Sequence, residues 1–202
     1  MDKIKSKKIV GENNIRTPDW IETKKDMVVN PAFYPCIVKP NAQGSTFGLS
    51  FVKEPGLLEN AINHSLAFDS NVLIEEYIGG REITVGVLDN EVLPIVEILP
   101  KHKLYDYECK YTPGMTNYKC PIELDNSLKE KINIDTIKIF ELLGCRGYGR
   151  VDYIIDNNNN HYFLEINTLP GMTSTSLLPI AAESSGISFD DLIKKIIYLG
   201  LK

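Results

Sequence analysis

The chain lacks the residues and patterns that settle function in many small proteins. Its four cysteines, Cys36, Cys109, Cys120 and Cys145, show no CxxC spacing, so neither a zinc centre nor a dithiol motif is indicated and reduced thiols are expected. No apolar run approaches the roughly 20 residues of a bilayer-spanning helix, so no membrane partner is expected. The basic opening Met1–Lys8 is not followed by the apolar core and cleavage site of a secretory signal, so a cytoplasmic location is expected. Positive charge is in deficit. With 22 Lys and Arg against 27 Asp and Glu, the net charge of -5 argues against a nucleic-acid partner, whose phosphates need surplus basic side chains. His64, His102 and His161 are scattered and read as surface or structural residues. What remains is 202 residues with 43% hydrophobic content, enough for one substantial core or two small ones.

The most informative stretch runs from Val151 to Asn167. Val151–Asp156 and His161–Asn167 are rich in β-branched, apolar and aromatic residues, and Asn157 to Asn160 between them tolerate the positive φ of tight hairpin turns. A turn centred between Asn158 and Asn159 sets Asp152 opposite Glu165 and Arg150 opposite Asn167, all four on one face. Two carboxylates and an amide oxygen suit a hard cation such as Mg²⁺, which shares its oxygen ligands with substrate phosphates.

Further signals lie upstream. Cys36–Lys39 reads as a strand running into Pro40 and the loop Asn41–Gly48, whose glycines, hydroxyls and amides could cradle phosphate while Lys39 supplies charge. The loop is not a Walker A motif, because Gly-Lys-Ser/Thr is absent. Leu57–Leu66 has helical spacing, and Val72–Ile74 reads as a buried strand ending at Glu75, Glu76 and Tyr77. After Gly79 and Gly80, Ile83, Val85 and Val87 alternate with Thr84, Gly86 and Leu88, and a turn at Asp89–Asn90 leads into a strand over Val92–Ile98. Residues 101–120, polar and tyrosine-rich, read as a loop that acts as a lid. Ser127–Leu143 reads as a helix closed by Gly144, and a last helix starts at Ser188 with Asp191 completing a capping box.

In order along the chain, these motifs resemble the ATP-grasp superfamily, and within it the D-alanine:D-alanine ligases. The resemblance rests on Met1-Asp2-Lys3 through Lys7; Val38-Lys39-Pro40 with Gly44-Ser45; Glu75-Glu76-Tyr77-Ile78 with Gly80 and Glu82; Tyr105 through Tyr111; Gly149-Arg150-Val151-Asp152; and Phe163 through Thr173, with Ser176 and Leu177 after it. It implies an α+β fold of two modules, 1–79 and 80–202, holding a nucleotide between them. It also implies that Lys3, Lys39 and Lys110 contact ATP phosphates, that Glu75, Glu76, Tyr77, Ile78, Phe163 and Leu164 surround the nucleotide, and that Glu82 binds the ribose. Asp152, Glu165 and Asn167 would hold two Mg²⁺ ions, with Mn²⁺ as a substitute. Arg150 and the Gly171 N–H would stabilise a tetrahedral intermediate, Ser176 would hold the second substrate's carboxylate, and Tyr105 would approach substrate from the lid.

The implied reaction phosphorylates one D-alanine carboxylate with ATP and couples the acylphosphate to a second D-alanine, for peptidoglycan precursors. A D-lactate-using or other dipeptide-forming ligase is the near alternative. The implied partners are ATP and D-alanine, with homodimerisation in full-length members. Those members carry a further N-terminal domain ahead of the Met-Asp-Lys position, and a glutamate from it would join Ser45 and Tyr111. Beside the ligase, the alternative for this chain is an incomplete fragment that binds Mg-ATP but needs that domain to ligate, and a third reading is a subunit completed by that domain in trans. Gln43 also stands where the family more usually has glutamate.

Overall fold

A computed structural model describes residues 2–101, 112 and 114–201. Tyr105, Lys110 and Tyr111 lie outside the described residues, and with them most of the expected lid. Helix α1 (Lys3–Glu12) opens the chain, capped by Asp2, whose carboxylate accepts from the Lys5 amide at 2.9 Å. Its buried positions are Lys3, Ser6, Lys7 and Val10, the spacing of one helical face. That face is mostly polar, so hydrophobic periodicity gives no sign of this helix.

Strands β1 (Trp20–Lys24), β2 (Cys36–Pro40), β3 (Ser50–Val52) and β4 (Asn71–Glu76), with helix α2 (Leu58–Leu66), build a small unit. The strands form a four-stranded antiparallel sheet in the order β1-β4-β2-β3. Leu58 and Ala61 of α2 pack on Cys36, Val38, Val52, Val72 and Ile74, one face of the sheet. Alternation sends Ile37, Lys39 and Glu75 to the opposite face.

The larger unit holds β5 (Arg81–Leu88), β6 (Glu91–Val92), β7 (Val96–Pro100), β8 (Thr116–Lys119), α3 (Asn126–Leu142), β9 (Tyr148–Ile155), β10 (His161–Asn167), α4 (Leu177–Ser184) and α5 (Phe189–Gly200). Its sheet runs β10-β9-β5-β7-β8, with β6 beside β5. On one face Ile83, Val85, Val151, Tyr153 and Phe163 meet Leu128, Ile132, Ile139 and Phe140 of α3, and Val10 of α1 joins them. So α1, although first in sequence, packs on the larger sheet. On the other face Leu88, Val96 and Ile98 pack with Leu178, Ala182 and Leu192 of α4 and α5. Burying an Ile or Leu such as Ile132 or Leu178 contributes about 1.5–3 kcal/mol each.

Two expected elements are corrected. The strand expected over Val92–Ile98 is two strands, because Pro94 has no N–H for the ladder and Leu93 N instead donates to Gly86 O at 2.8 Å. The end of the expected lid loop is strand β8, paired with β7 from Glu97↔Lys119 to Pro100↔Thr116. Between the sheets the chain crosses at Gly80, where a Cβ would run into the Ile155 carbonyl oxygen. The close passage of the crossover over β9 therefore requires glycine.

Candidate active site

Strands β9 and β10 make the expected hairpin, and Asp152 faces Glu165 while Arg150 faces Asn167. The turn is not where that pairing would place it. Asp156 N donates to Asn160 O at 2.9 Å, centring the turn on Asn158, with Asn159 at φ 60°. Beyond the turn Phe163 pairs with Tyr153, one residue out of step with Glu165↔Asp152, and a β-bulge between Phe163 and Glu165 absorbs the difference. The bulge lets the neighbours Leu164 and Glu165 both line the cleft described next, while Phe163 and Ile166 both enter the core. The Phe163 side chain is thus corrected from a nucleotide-facing position to a core position with no exposed surface.

A cleft of about 160 Å³ is lined by both sheets. From the small unit it takes Lys39, Glu75, Glu76, Tyr77 and Ile78, and from the loop after β2 it takes Gln43, Gly44 and Ser45. The larger unit supplies Glu82, Arg150, Asp152, Leu164 and Glu165, and α1 supplies Lys3. Ile37, Ile98 and Ile154 add apolar wall, and Phe51 steadies Tyr77 edge-on with ring centroids 4.9 Å apart. One cavity therefore offers an apolar slot and a strongly charged floor, the composition of a site for a ligand with a flat apolar part and an anionic tail.

On the small-sheet side, fully buried Glu75 lies between two lysines. Lys39 Nζ donates to Oε2 at 2.6 Å, and Lys7 Nζ forms an ion pair with Oε1. Burial alone would raise the Glu75 pKa, but Lys39 and Lys7 outweigh it and hold the carboxyl below its ordinary value. Burial pushes Lys7 down to about 8. Burial also pulls on Lys39, yet Glu75 and Glu165 hold that lysine above its ordinary value.

On the large-sheet side, Arg150 grips Asp152 through Nε to Oδ1 at 2.9 Å and Nη2 to Oδ2 at 3.0 Å. Thr84, opposite on β5, donates to Oδ1 at 2.5 Å. Lys3 Nζ lies 3.6 Å from Glu165 and donates to the Gln43 carbonyl at 2.5 Å, tying α1 to the loop. In that loop Ser45 and Thr46 sit at φ 54° and 60°, and Gly48 at φ 70°. Left-handed backbone at two non-glycine residues is the kind of strain that collects at ligand-binding loops.

The remaining expected residues lie outside the cleft lining. Asn167 Oδ1 accepts from Leu169 N at 3.2 Å. Ser176 precedes α4, bonded to Thr173 Oγ1 at 2.8 Å, and a Cβ on Gly171 would stand 3.0 Å from its Oγ, so these two are neighbours. Sequence reasoning missed Lys7, Thr17 and Thr84. The four-residue step from Lys3 to Lys7 and the position of Thr84 two residues after Glu82 on an alternating strand are the signals that could have found two of them. Asp152, Glu165 and Asn167 form an all-oxygen set suited to a hard cation. Among the described residues no group of three or more His, Cys, Asp and Glu side chains is arranged to hold an ion alone.

Two sheets closing on a cleft with lysines and carboxylates at its floor define a protein of the ATP-grasp fold. The chain belongs to the D-alanine–D-alanine ligase family: the family model described as "D-ala D-ala ligase C-terminus" matches residues 10–198. A D-alanine–D-alanine ligase of Syntrophotalea carbinolica is 41% identical over 199 residues, 98% of this chain and 65% of that protein. The Carboxydothermus hydrogenoformans ligase is 43% identical, over 100% of this chain and 69% of its own length. The crystal structure of the Bacillus anthracis ligase complexed with ATP superposes with a TM-score of 0.83 at 35% identity, covering 99% of this chain and 64% of that one. The chain thus spans about two thirds of the relatives it matches. Among the described residues no helix is long and apolar enough to cross a membrane.

Proposed function

We propose that this chain is the nucleotide-binding part of an ATP-dependent ligase that forms D-alanyl-D-alanine for peptidoglycan precursors in the cytoplasm. The observation that carries this reading is the convergence of Lys3 and Lys39 with Asp152 and Glu165 in one cleft, beside the apolar Tyr77 and Ile78. The two modules, 1–79 and 80–202, act as jaws, with α1 packed on the larger.

Phosphoryl transfer depends on positioning and charge neutralisation more than on covalent help. Lys3 and Lys39 meet the phosphates, Tyr77, Ile78 and Leu164 enclose the base, and Glu82 takes the ribose. The γ-phosphoryl group passes to a D-alanine carboxylate oxygen, giving ADP and an acylphosphate. The amine of a second D-alanine attacks the acyl carbon, the new C–N bond displaces phosphate, and the amine loses its proton. Arg150 and the Gly171 N–H stabilise the oxyanion formed on that path, and Ser176 holds the second carboxylate. Asp152, Glu165 and Asn167 would hold Mg²⁺, two ions or Mn²⁺ in their place, which supplies charge neutralisation at the phosphates. A homodimer is the assembly this reading entails.

The test is calorimetric titration with Mg-ATP of the chain and of its Asp152→Ala and Glu165→Ala variants, followed by a phosphate-release assay. Saturable binding weakened in both variants, with phosphate release that requires D-alanine, is expected. No binding at millimolar ATP overturns the nucleotide site; release indifferent to D-alanine overturns the ligase.

A further inference from the structure

Lys7 has no exposed surface and cannot touch a ligand in the cleft, whereas Lys39 keeps 9% of its surface and lines the cleft. Both grip the same carboxylate, Glu75, by different oxygens. Lys7 has its three N–H bonds engaged inside the protein, by Glu75, by Thr17 Oγ1 at 2.5 Å and by the Phe163 carbonyl at 3.3 Å. Among the described residues the ammonium of Lys39 bonds to Glu75 alone. One lysine is locked, and the other has donors to spare.

A fully buried carboxylate cannot be left without a counter-ion, because an unpaired buried charge costs several kcal/mol. If Glu75 had only Lys39, every phosphate that drew Lys39 away would strand that carboxylate. We infer that Lys7 is a positioning residue that acts as the permanent counter-ion of Glu75, freeing Lys39 to turn from Glu75 to the phosphates of a nucleotide. The inference rests on the nucleotide-binding reading above. It makes a specific demand: Lys7 should matter for the phosphates of the ligand and hardly at all for its base and sugar. The three groups carry a net charge of +1, and removing Lys7 leaves Glu75 and Lys39 as a neutral pair, so the substitution leaves no unpaired charge to unfold the protein.

The experiment titrates the whole chain near neutral pH with Mg-ATP and with adenosine, which keeps base and ribose but has no phosphate. Lys7→Met, and Lys7→Met combined with Glu75→Gln, are compared with the unaltered chain. Loss of a freely available charged donor predicts that Lys7→Met weakens ATP about tenfold or more while adenosine changes less than about threefold. In the double variant Glu75 no longer needs Lys39, so the ratio of ATP to adenosine affinity recovers toward that of the unaltered chain. A lysine that merely supports the fold would lower both affinities alike. Equal losses for the two ligands, no loss for either, or a ratio that stays depressed in the double variant each overturn the inference. Failure of the unaltered chain to bind ATP instead overturns the nucleotide reading itself.

Discussion

The two halves of the cleft floor solve the same electrostatic problem differently. On the small-sheet side Glu75 is 2% exposed and caught between Lys7 and Lys39, so the carboxylate is fully compensated inside the protein and one positive charge is left over. On the large-sheet side Glu165 keeps 23% of its side-chain surface, and its nearest cation among the described residues is Lys3 at 3.6 Å. The first arrangement is a closed ionic cluster; the second leaves carboxylate capacity for charges that arrive with a ligand. Buried charges must be matched by the chain in advance, whereas partly open ones can be matched on binding.

The hardest test of this contrast removes Glu75. Glu75→Leu leaves two buried ammonium groups without their carboxylate, and an expected loss of about 3–5 kcal/mol would appear as a lower midpoint in urea unfolding. An effect below about 1 kcal/mol would mean the cluster is not closed. The next test uses pH. Lys7 is faced by Glu75 from β4, Lys39 from β2 and Glu165 from β10, and burial pushes it down to about 8. Below that value it is an ammonium and holds Glu75; above it the charge is gone and Lys39 must stay. The ratio of ATP to adenosine affinity is therefore expected to fall as pH rises through about 8, by about tenfold at most. A ratio that is flat or rises would remove Lys7 from the account. The smallest effect belongs to the open side. Thr84→Val keeps the shape but removes the donor to Asp152 Oδ1, so stability should drop by about 1 kcal/mol while Mn²⁺ binding, read by paramagnetic resonance, weakens. Unchanged ion binding would show that Arg150 alone orients Asp152.

The open side was much the easier to read from sequence. Arg150, Asp152 and Glu165 sit on strands whose alternation points them one way, so spacing alone predicted their meeting. The closed side was largely hidden. Lys7 lies on a helix whose buried face is Lys3, Ser6, Lys7 and Val10, and a search for apolar periodicity passes over a face made of lysines and serine. Helix α1 and its contact with Glu75 come from tertiary packing that brings residues 68 positions apart together, and no local pattern encodes that. The nucleotide-facing position of Phe163 was implied by the family resemblance, and the bulge that turns its side chain into the core leaves no mark in the local pattern.

That bulge has a consequence for how the protein can vary. The hairpin carries a one-residue phase slip, so its tip and its business end keep separate time. Asp152 and Glu165 stay opposed although the asparagine tip is half a step out of register with them. The tip can therefore lengthen or shorten by a residue, with the slip moving or vanishing to match, and the two carboxylates still meet. A loosely specified polar tract is tolerable there because the strand above it works as an expansion joint.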